Sequence, residues 1–291
     1  MKTGIIDVGG GFRGVYAAGV FDYCLDHELT FDVGIGISAG SANMVAFAAG
    51  QRERDRKFYT EYALRKEYIG VQNLLEKRAL VDMEYVSSTL SNEDGECPLN
   101  YPALRDNPME VIVVATNGAT GEPRYFDKRD IHQNDYEICR ASGSIPYVCS
   151  PCTLNGVTYF DGAISDPVPI AKAFECGCDK VVLVLTRPAD VLLNPLPEDA
   201  LALRLQRSMP VLAEAVRHRV EKYNAGVALA KMYQEEGKVL IVAPDDTCGV
   251  DTLKREKDSL EKLYLKGYMD GHLIREFMKQ AWVCVKERGA Q

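Results

Sequence analysis

The sequence predicts an α/β protein with a mostly parallel central sheet flanked by helices on both faces, a three-layer α/β/α arrangement. Short apolar runs with strand character alternate along the chain with segments whose apolar residues recur at helical spacing. This alternation is typical of parallel sheets, because a helix usually connects one parallel strand to the next. The most apolar run, Lys180–Thr186, indicates a strand that is buried on both faces.

Strands are predicted where an apolar run is short and bounded by turn residues. Their ranges are Thr3–Val8, Phe31–Ile37, Glu110–Ala115, Gly156–Phe160, Lys180–Thr186 and Lys238–Ala243, with Arg124–Phe126 pairing beside the third. Helices are predicted where apolar residues recur every three or four positions. Their ranges are Gly14–Glu28, Ser41–Gly50, Gln133–Ser142, Pro169–Cys176, Ala200–Glu236 and Lys254–Glu287. Between these elements, Arg52–Leu90 has helical spacing and no strand signal, and Ser91–Pro108 is predicted to be a loop.

Length and composition are those of a globular enzyme. The chain has 291 residues, of which 46% are hydrophobic and 26% charged, and this suffices for one continuous core. We find no internal repeat and no low-complexity tract. We therefore expect a single domain over residues 1–291, with its core motifs in 3–186 and a mainly helical C-terminal part in 198–291.

Net charge and cysteine content limit the classes of binding partner and the cellular compartment that we expect. The formal net charge is −8 and no Lys/Arg-rich stripe occurs, so nucleic acid is not an expected partner. The sequence has no run of about 18 apolar residues and no signal-peptide pattern at its start. The nine cysteines are scattered, which predicts reduced thiols and a cytoplasmic location.

The first motif with chemical meaning is Gly36-Ile37-Ser38-Ala39-Gly40. It follows a predicted strand and precedes a predicted helix, so the turn would project the Ser38 hydroxyl clear of the backbone. Flanking glycines let such a turn close without a Cβ clash, and the helix N-terminus favours negative charge nearby. The pattern predicts a nucleophilic serine; the alternative is an ordinary turn of small residues.

A glycine-rich loop follows the first predicted strand. Gly9, Gly10 and Gly11 are consecutive, and Gly14 follows two residues after them. Backbone N–H groups of such a loop can converge on one point and stabilise the oxyanion of a tetrahedral intermediate. Arg13 either holds this loop in shape or is a solvated charge at the start of the next helix.

The same glycines also match the dinucleotide-binding pattern G-x-G-x-x-G. That pattern requires an acidic residue about 20 positions further on, at the end of the second strand. Asp32 lies near this distance, but it precedes the second apolar run. The nucleotide interpretation is therefore weaker than the oxyanion loop, and no cofactor is predicted.

Asp161, in Tyr159-Phe160-Asp161-Gly162-Ala163, is the candidate base for Ser38. A hydroxyl is a poor nucleophile unless a base accepts its proton. A Ser–Asp–His triad in this chain order would instead need His218 or His272. Both histidines lie in charged, strongly helical surroundings, which favours surface positions.

Taken in order, these motifs resemble those of bacterial patatin-like phospholipases. The corresponding strings are GGGFRG (Gly9–Gly14), GISAG (Gly36–Gly40) and DGA (Asp161–Ala163). Two further stretches, Ala115–Phe126 and Ala141–Pro151, are similar to family segments, and the resemblance covers about residues 3–186. The sequence departs from the family pattern at two positions. In many family members Asp directly precedes the glycine motif, whereas Val8 precedes it here. Cys149 stands where an aromatic residue is common.

The resemblance implies a Ser–Asp dyad without histidine. Ser38 would attack a lipid ester, Asp161 would accept its proton, and the amides of Gly10 and Gly11 would stabilise the oxyanion. The implied activity is that of a lipase or phospholipase A, with lipid substrates and transient contact with a membrane surface. The alternatives are a general carboxylesterase or thioesterase, and a catalytically silent lipid-binding protein.

Two other patterns favour structural roles. Cys149-Ser-Pro-Cys152 and Cys176-Gly-Cys178 are spaced unlike paired zinc knuckles, so buried thiols are expected and no metal site is predicted. Five apolar or aromatic residues recur at helical intervals in a charged stretch: Phe58, Tyr59, Tyr62, Leu64 and Tyr68. They favour a helix packed on the core over a lid or acyl groove.

Overall fold

The computed structural model describes residues 1–279. The sheet consists of β1 (Thr3–Asp7), β2 (Val33–Ile37), β3 (Glu110–Asn117), β4 (Pro123–Asp127), β5 (Cys152–Leu154), β6 (Val157–Asp161), β7 (Lys180–Val184) and β8 (Val239–Val242). Its strand order is β5-β6-β3-β2-β1-β7-β8, and β4 pairs with β3 outside this path. Neighbouring strands in the run β3-β2-β1-β7-β8 are parallel. The pairs β3–β4, β3–β6 and β5–β6 are antiparallel.

Helices cover both faces of this sheet. They are α1 (Val15–Asp26), α2 (Ala39–Ala48), α3 (Arg54–Thr60), α4 (Val71–Lys77), α5 (Tyr101–Asp106), α6 (Glu137–Ser142), α7 (Ile170–Glu175), α8 (Leu196–Leu205), α9 (Pro210–Glu235) and α10 (Lys257–Asp270). Residues 272–279 are also helical. The rest of the predicted closing helix, residues 280–287, lies outside the described residues.

The alternation of side chains along each strand separates two cores. Ile5 packs in the core with α1 and α2, while its neighbour Ile6 packs in the opposite core with α7 and α9. Val113 and Val114 of β3 divide in the same way. A sheet with an apolar core on each face is a three-layer α/β/α structure, so the predicted fold class is confirmed.

The structure corrects the sequence interpretation at three places. The predicted loop Ser91–Pro108 contains α5, because the Asn100 side chain caps this helix by accepting a hydrogen bond of 3.2 Å from Ala103 N. The short strand β5 was not predicted; it forms by pairing with β6. Helix α6 begins at Glu137, four residues later than the predicted start at Gln133.

The segment 52–90 is helical only in pieces. Helices α3 and α4 are short. Val81, which follows α4, forms isolated β-bridges with Ile69, which lies between the two helices, and with Cys149. The bridges are long-range contacts that helical spacing within the segment could not reveal. Within residues 1–279, no helix is long and apolar enough to cross a membrane.

Candidate active site

Ser38 occupies a sharp turn between β2 and α2. Its backbone angles, φ 55° and ψ −128°, belong to a region that residues with a Cβ rarely adopt. The turn closes tightly, because a Cβ on Gly36 would lie 2.5 Å from Gly40 O, and one on Gly40 would lie 2.5 Å from Asp7 O. Glycine is therefore required on both sides of Ser38, and the strained turn holds its hydroxyl in one direction.

The Ser38 hydroxyl points at Asp161. Ser38 Oγ donates a hydrogen bond of 2.7 Å to Asp161 Oδ2, although the two residues lie 123 positions apart. The other carboxylate oxygen of Asp161 accepts a bond of 2.8 Å from Ala163 N. Both residues are buried, with Ser38 8% and Asp161 6% exposed. Burial raises the pKa of Asp161, and the hydrogen bond from Ser38 opposes that rise.

The Asp-Gly-Ala motif fits this position closely. A Cβ on Gly162 would overlap the carbonyl oxygen of Val114, so only glycine lets the chain turn here against β3. The turn directs Ala163 N back onto the Asp161 carboxylate. Gly162 and Ala163 thus fix the orientation of Asp161.

The glycine loop adopts a conformation that requires glycine at each of its first three positions. Gly9, Gly10 and Gly11 have φ values of 66°, 126° and 62°. The amides of Gly10 and Gly11 donate to no other group of residues 1–279, whereas Gly9 N donates to Asp7 Oδ1 at 2.9 Å. Because β1 and β2 are paired with Asp7 opposite Gly36, this loop lies directly beside the Ser38 turn.

Arg13 and Gly14 connect the loop to other parts of the molecule. The Arg13 side chain is only 6% exposed; it forms an ion pair with Asp251 and donates a bond of 3.1 Å to Thr252 Oγ1. At Gly14, a Cβ would overlap the hydroxyl of Tyr59. Arg13 is therefore a buried, ion-paired residue and not a solvated charge, and its role in holding the loop in shape stays a prediction.

A buried polar cluster behind the loop was missed by sequence reasoning. Asn43 Nδ2 donates bonds of 2.9 Å to Asp7 Oδ2 and 3.0 Å to Gly14 O, and its Oδ1 accepts one from Tyr59. Burial raises the pKa of Asp7 to about 7, while the bonds from Gly9 and Asn43 oppose the rise. Asp7 and Asn43 tie the glycine loop to the helix that follows Ser38.

Ser142 is a second residue that sequence reasoning did not single out as part of the site. Its Oγ accepts a bond of 2.8 Å from Ser38 N and donates one of 2.6 Å to Val114 O. Two residues later, Ser144 O accepts a bond of 2.9 Å from Asp161 N. The segment that contains Ser142 and Ser144 thus holds both Ser38 and Asp161; its only sequence signal was the resemblance of Ala141–Pro151 to a family segment.

A mainly apolar cavity of about 110 Å³ adjoins Ser38, and the charged residues Arg54, Asp55 and Arg140 also contribute to its wall. Gly11 and Ala39 also line it, as do apolar side chains from several segments: Phe58, Tyr59, Tyr68, Val81, Met83, Val86, Leu99, Ile145 and Val148. The five apolar or aromatic residues between Phe58 and Tyr68 do not share one environment. Phe58, Tyr59 and Tyr68 form cavity wall, while Tyr62 packs in a small core with Tyr85 and Leu90.

The alternative residues lie elsewhere. His218 bonds to Glu214 and Glu221 on the exposed side of α9, and the exposed His272 contacts Met269 O. Neither histidine is hydrogen-bonded to Ser38. Asp32 lies directly before β2 and accepts hydrogen bonds from Thr3, the first residue of β1. The glycine loop follows the other end of β1.

The cysteine pairs are free thiols in the structure. Burial raises the pKa of Cys149 to about 12 and that of Cys152 to about 11. Cys176 and Cys178 are likewise unpaired. Across the described range 1–279, no group of three or more His, Cys, Asp or Glu residues is arranged to hold a metal ion.

Comparison with known proteins identifies the family of the chain. The family model described as "Patatin-like phospholipase" matches residues 8–174, more than half of the chain. The chain therefore belongs to the patatin-like phospholipase family. A second model, described as a domain of unknown function (DUF6363), matches residues 209–280.

Individual relatives are more distant. The chain is 28% identical over 199 residues to the uncharacterized protein YjjU of Escherichia coli (strain K12), a match that covers 67% of this chain and 54% of YjjU. The chain thus spans about half the length of this curated relative. VipD from Legionella pneumophila has a similar fold, with a TM-score of 0.53 and 12% identity over 94% of this chain and 66% of VipD.

Proposed function

We propose that this protein is a serine acyl hydrolase that cleaves carboxylic ester bonds of lipids, as a lipase or phospholipase A does. The observation that carries the proposal is the 2.7 Å hydrogen bond from Ser38 Oγ to Asp161 Oδ2, at the wall of an apolar cavity. Membership of the patatin-like phospholipase family supports a lipid substrate. The lining of the cavity supports it further, because aliphatic and aromatic side chains suit an acyl chain.

The first half-reaction transfers the acyl group to the enzyme. Ser38 Oγ attacks the ester carbonyl carbon while Asp161 accepts the hydroxyl proton, which gives a tetrahedral intermediate. When this collapses, the bond to the alcohol oxygen breaks and Asp161 returns the proton to the departing alcohol. The burial that raises the pKa of Asp161 makes it a better proton acceptor than an exposed aspartate.

The second half-reaction releases the acid. Water adds to the acyl-enzyme carbonyl, Asp161 accepts a proton from it, and the bond to Ser38 Oγ breaks as the serine regains its proton. In both intermediates the negative oxygen would be stabilised by the amides of Gly10 and Gly11, which have no other acceptor within residues 1–279.

The proposed substrate also defines the expected partner and location. A bilayer lipid would require transient contact with a membrane surface. The eight cysteines within residues 1–279 are unpaired, which supports the predicted cytoplasmic location.

The proposal is tested by hydrolysis of p-nitrophenyl butyrate by the wild type, Ser38→Ala and Asp161→Asn. We expect Ser38→Ala to fall to the uncatalysed background. Asp161→Asn should lose about 10²–10⁴-fold in kcat, because the contribution of a general base is lost. Far-UV circular dichroism checks that each variant is folded.

His218→Ala serves as the matched control, since a Ser–His triad would need this residue. The dyad predicts a near-normal rate for His218→Ala, and full activity in Asp161→Asn would contradict the dyad. Equal turnover by Ser38→Ala and wild type would reject Ser38 as nucleophile. A folded wild type that cleaves neither this ester nor a short-chain phospholipid would favour a catalytically silent lipid-binding protein.

A further inference from the structure

Three arginines surround a buried tyrosine beside the glycine loop. The Arg187 guanidinium lies 5.7 Å from the centre of the Tyr223 ring. Burial raises the pKa of Tyr223, and the positive charges of Arg187, Arg13 and Arg219 oppose that rise. Burial, together with the positive charge of Arg187, lowers the pKa of Arg13 to about 10. The arginines are therefore close enough to repel each other.

One of these arginines, Arg13, lies against the loop that would hold the oxyanion. A Cβ on Gly10 would stand 3.2 Å from Arg13 Nη2 and 2.6 Å from Thr186 Oγ1. The Thr186 hydroxyl donates to Gly9 O, and Arg187 is the next residue along the chain. Arg187 thus follows directly from a residue that touches the glycine loop.

The third arginine lies on the side of Asp161. On α9, Lys222 Nζ donates a bond of 3.0 Å to Ser165 O, in the turn that follows Asp161. Arg219 is three residues before Lys222, about one helical turn away. Its positive charge opposes the burial-driven rise in the pKa of Asp161. Arg219 is therefore close enough to Asp161 for its charge to act there, and Arg187 follows directly on the residue beside the glycine loop.

The charges of the cluster are only partly balanced. Arg13 is paired with Asp251, and Arg219 is paired with Glu198. Arg187 is half-buried and has no ion-pair partner within residues 1–279. The Nε atom of Arg13 is buried and has no hydrogen-bond partner in the described part of the chain. Arg187 is thus the one arginine of the three that no carboxylate of residues 1–279 pairs with, and an unpaired guanidinium favours an anionic ligand.

The acyl cavity lies apart from this cluster, since none of the three arginines lines it. An ester has an acyl side and an alcohol side, and the cavity suits the acyl side. We propose that Arg187 and Arg219 form a basic subsite that binds a phosphate group on the alcohol side of the ester, as in a phospholipid. The inference rests on the proposed function. Arginine suits this role, because its planar guanidinium can donate two parallel hydrogen bonds to a phosphate.

The subsite also gives a role to the C-terminal part of the chain. Arg219 and Asp251 both lie within residues 209–280, the segment matched by the domain of unknown function. Arg219 contributes to the subsite directly, and Asp251 holds Arg13 against the glycine loop. This segment would thus complete the phosphate side of a site whose nucleophile and base come from residues 8–174.

The test compares two short-chain substrates that differ only in the phosphate: dihexanoylphosphatidic acid and dihexanoylglycerol. We measure the ratio of their kcat/KM values for the wild type, Arg187→Gln and Arg219→Gln. In each variant the ratio should fall about tenfold or more, the size expected for one lost charge-assisted hydrogen bond. The change should appear mainly in KM, because the phosphate is remote from the bonds that form and break.

Arg217→Gln is the matched control. Arg217 lies on the same helix and pairs with Glu214, and its side chain is 32% exposed against 27% for Arg219. Its ratio should equal that of the wild type. An equal fall in Arg217→Gln would indicate a general effect of surface charge and overturn the subsite, as would an unchanged ratio in both Arg187→Gln and Arg219→Gln. If dihexanoylglycerol is cleaved in a Ser38-dependent way while the ratios stay unchanged, only the subsite fails and the proposed function stands.

A binding measurement does not depend on turnover. Ser38→Ala, alone and combined with Arg187→Gln, is titrated calorimetrically with dihexyl ether-linked phosphatidic acid, which has no ester to cleave. We expect Kd to rise about tenfold in the combined variant. The same titration with inorganic phosphate should give much weaker binding. Equal Kd values for the two ligands would assign the site to free phosphate and overturn its role in substrate binding.

Discussion

At the scale of single residues, Asp161 combines its hydrogen bond from Ser38 with a cost in stability. Burial raises the pKa of this carboxyl above its ordinary value of 3.8, so the unfolded chain ionises it more readily than the folded chain. Ionisation therefore favours unfolding. The destabilisation is absent at pH values below the unfolded pKa, develops as the pH rises through the two pKa values, and is complete above the folded pKa.

Replacement of Asp161 by Asn should therefore stabilise the protein while it removes activity. An asparagine can keep both bonds of the site, since its Oδ1 accepts from Ala163 N and its Nδ2 can donate to Ser38 Oγ. We expect the Tm of Asp161→Asn to exceed that of the wild type at pH 8, and the difference to shrink as the pH is lowered toward about 4. Thermal unfolding followed by circular dichroism across this pH range measures the effect.

Asp190→Asn is the control for this experiment. Asp190 is 95% exposed and pairs with Lys231, which lowers its pKa instead of raising it. Because exposed ion pairs contribute little, its Tm should stay within error of the wild type at both pH values. A lower Tm for Asp161→Asn at pH 8 would mean that the ionised carboxylate is stabilised in the folded state, contrary to the direction of its pKa.

The residues that sequence reasoning could find are those with a local signature. Ser38 and Asp161 each lie beside glycines at a strand end, and that pattern is visible without a structure. Asn43 and Ser142 have no such pattern. Their roles come from contacts with residues 36 and 104 positions away, which depend on how the sheet assembles.

At the scale of elements, the glycine loop is the most constrained segment near Ser38. Gly11 has a φ of 62°, and a Cβ there would overlap the carbonyl oxygen of Thr252. Gly11→Ala must therefore displace either the loop or the segment at Thr252, and with it the amide of residue 11. We expect kcat to fall about 10²–10³-fold, the usual effect of losing one oxyanion donor.

Gly50→Ala separates this effect from backbone strain alone. Gly50 has a similar φ of 66°, but nothing lies within 4 Å of the position of its Cβ. Both variants bear the cost of a left-handed alanine, about 1–2 kcal/mol, so both should lower the Tm. Only Gly11→Ala should lose activity; an equal loss in Gly50→Ala would mean that the activity responds to stability and not to the loop. Hydrolysis of p-nitrophenyl butyrate and thermal unfolding give the two measurements.

The helices and strands were predictable where a short apolar run, or apolar residues at helical spacing, dominated the local sequence. Strands β1, β2, β3 and β7 are continuous apolar runs, and all of them were expected. Strand β5 has three residues and exists only because β6 pairs with it, so its own sequence does not distinguish it from a loop. The same limit applies to Val81, whose bridges to Ile69 and Cys149 form a wall of the cavity.

At the scale of the whole molecule, the two segments matched by family models pack closely against each other. Helix α1 of the first lies on α10 of the second so closely that a Cβ on Gly19 or Gly267 would overlap the opposite backbone. Tyr16 donates a bond of 2.7 Å to Asp270. Contacts of this kind join helices that begin 242 residues apart in sequence. That residues 1–291 form a single domain stays a prediction.

If the chain is one domain, damage to the contact between α1 and α10 should destabilise the whole molecule. Gly267→Ala places a methyl group against the carbonyl oxygen of Tyr16, and overpacking of this kind typically costs about 1–3 kcal/mol. We expect differential scanning calorimetry to give one transition in both wild type and variant, shifted several degrees lower in the variant. Leu265→Ala, at an exposed position of the same helix, should leave the transition in place. Two transitions, of which only one moves in Gly267→Ala, would show that the C-terminal segment folds independently. Arg219 and Asp251 would then reach the site only through docking between two separate units.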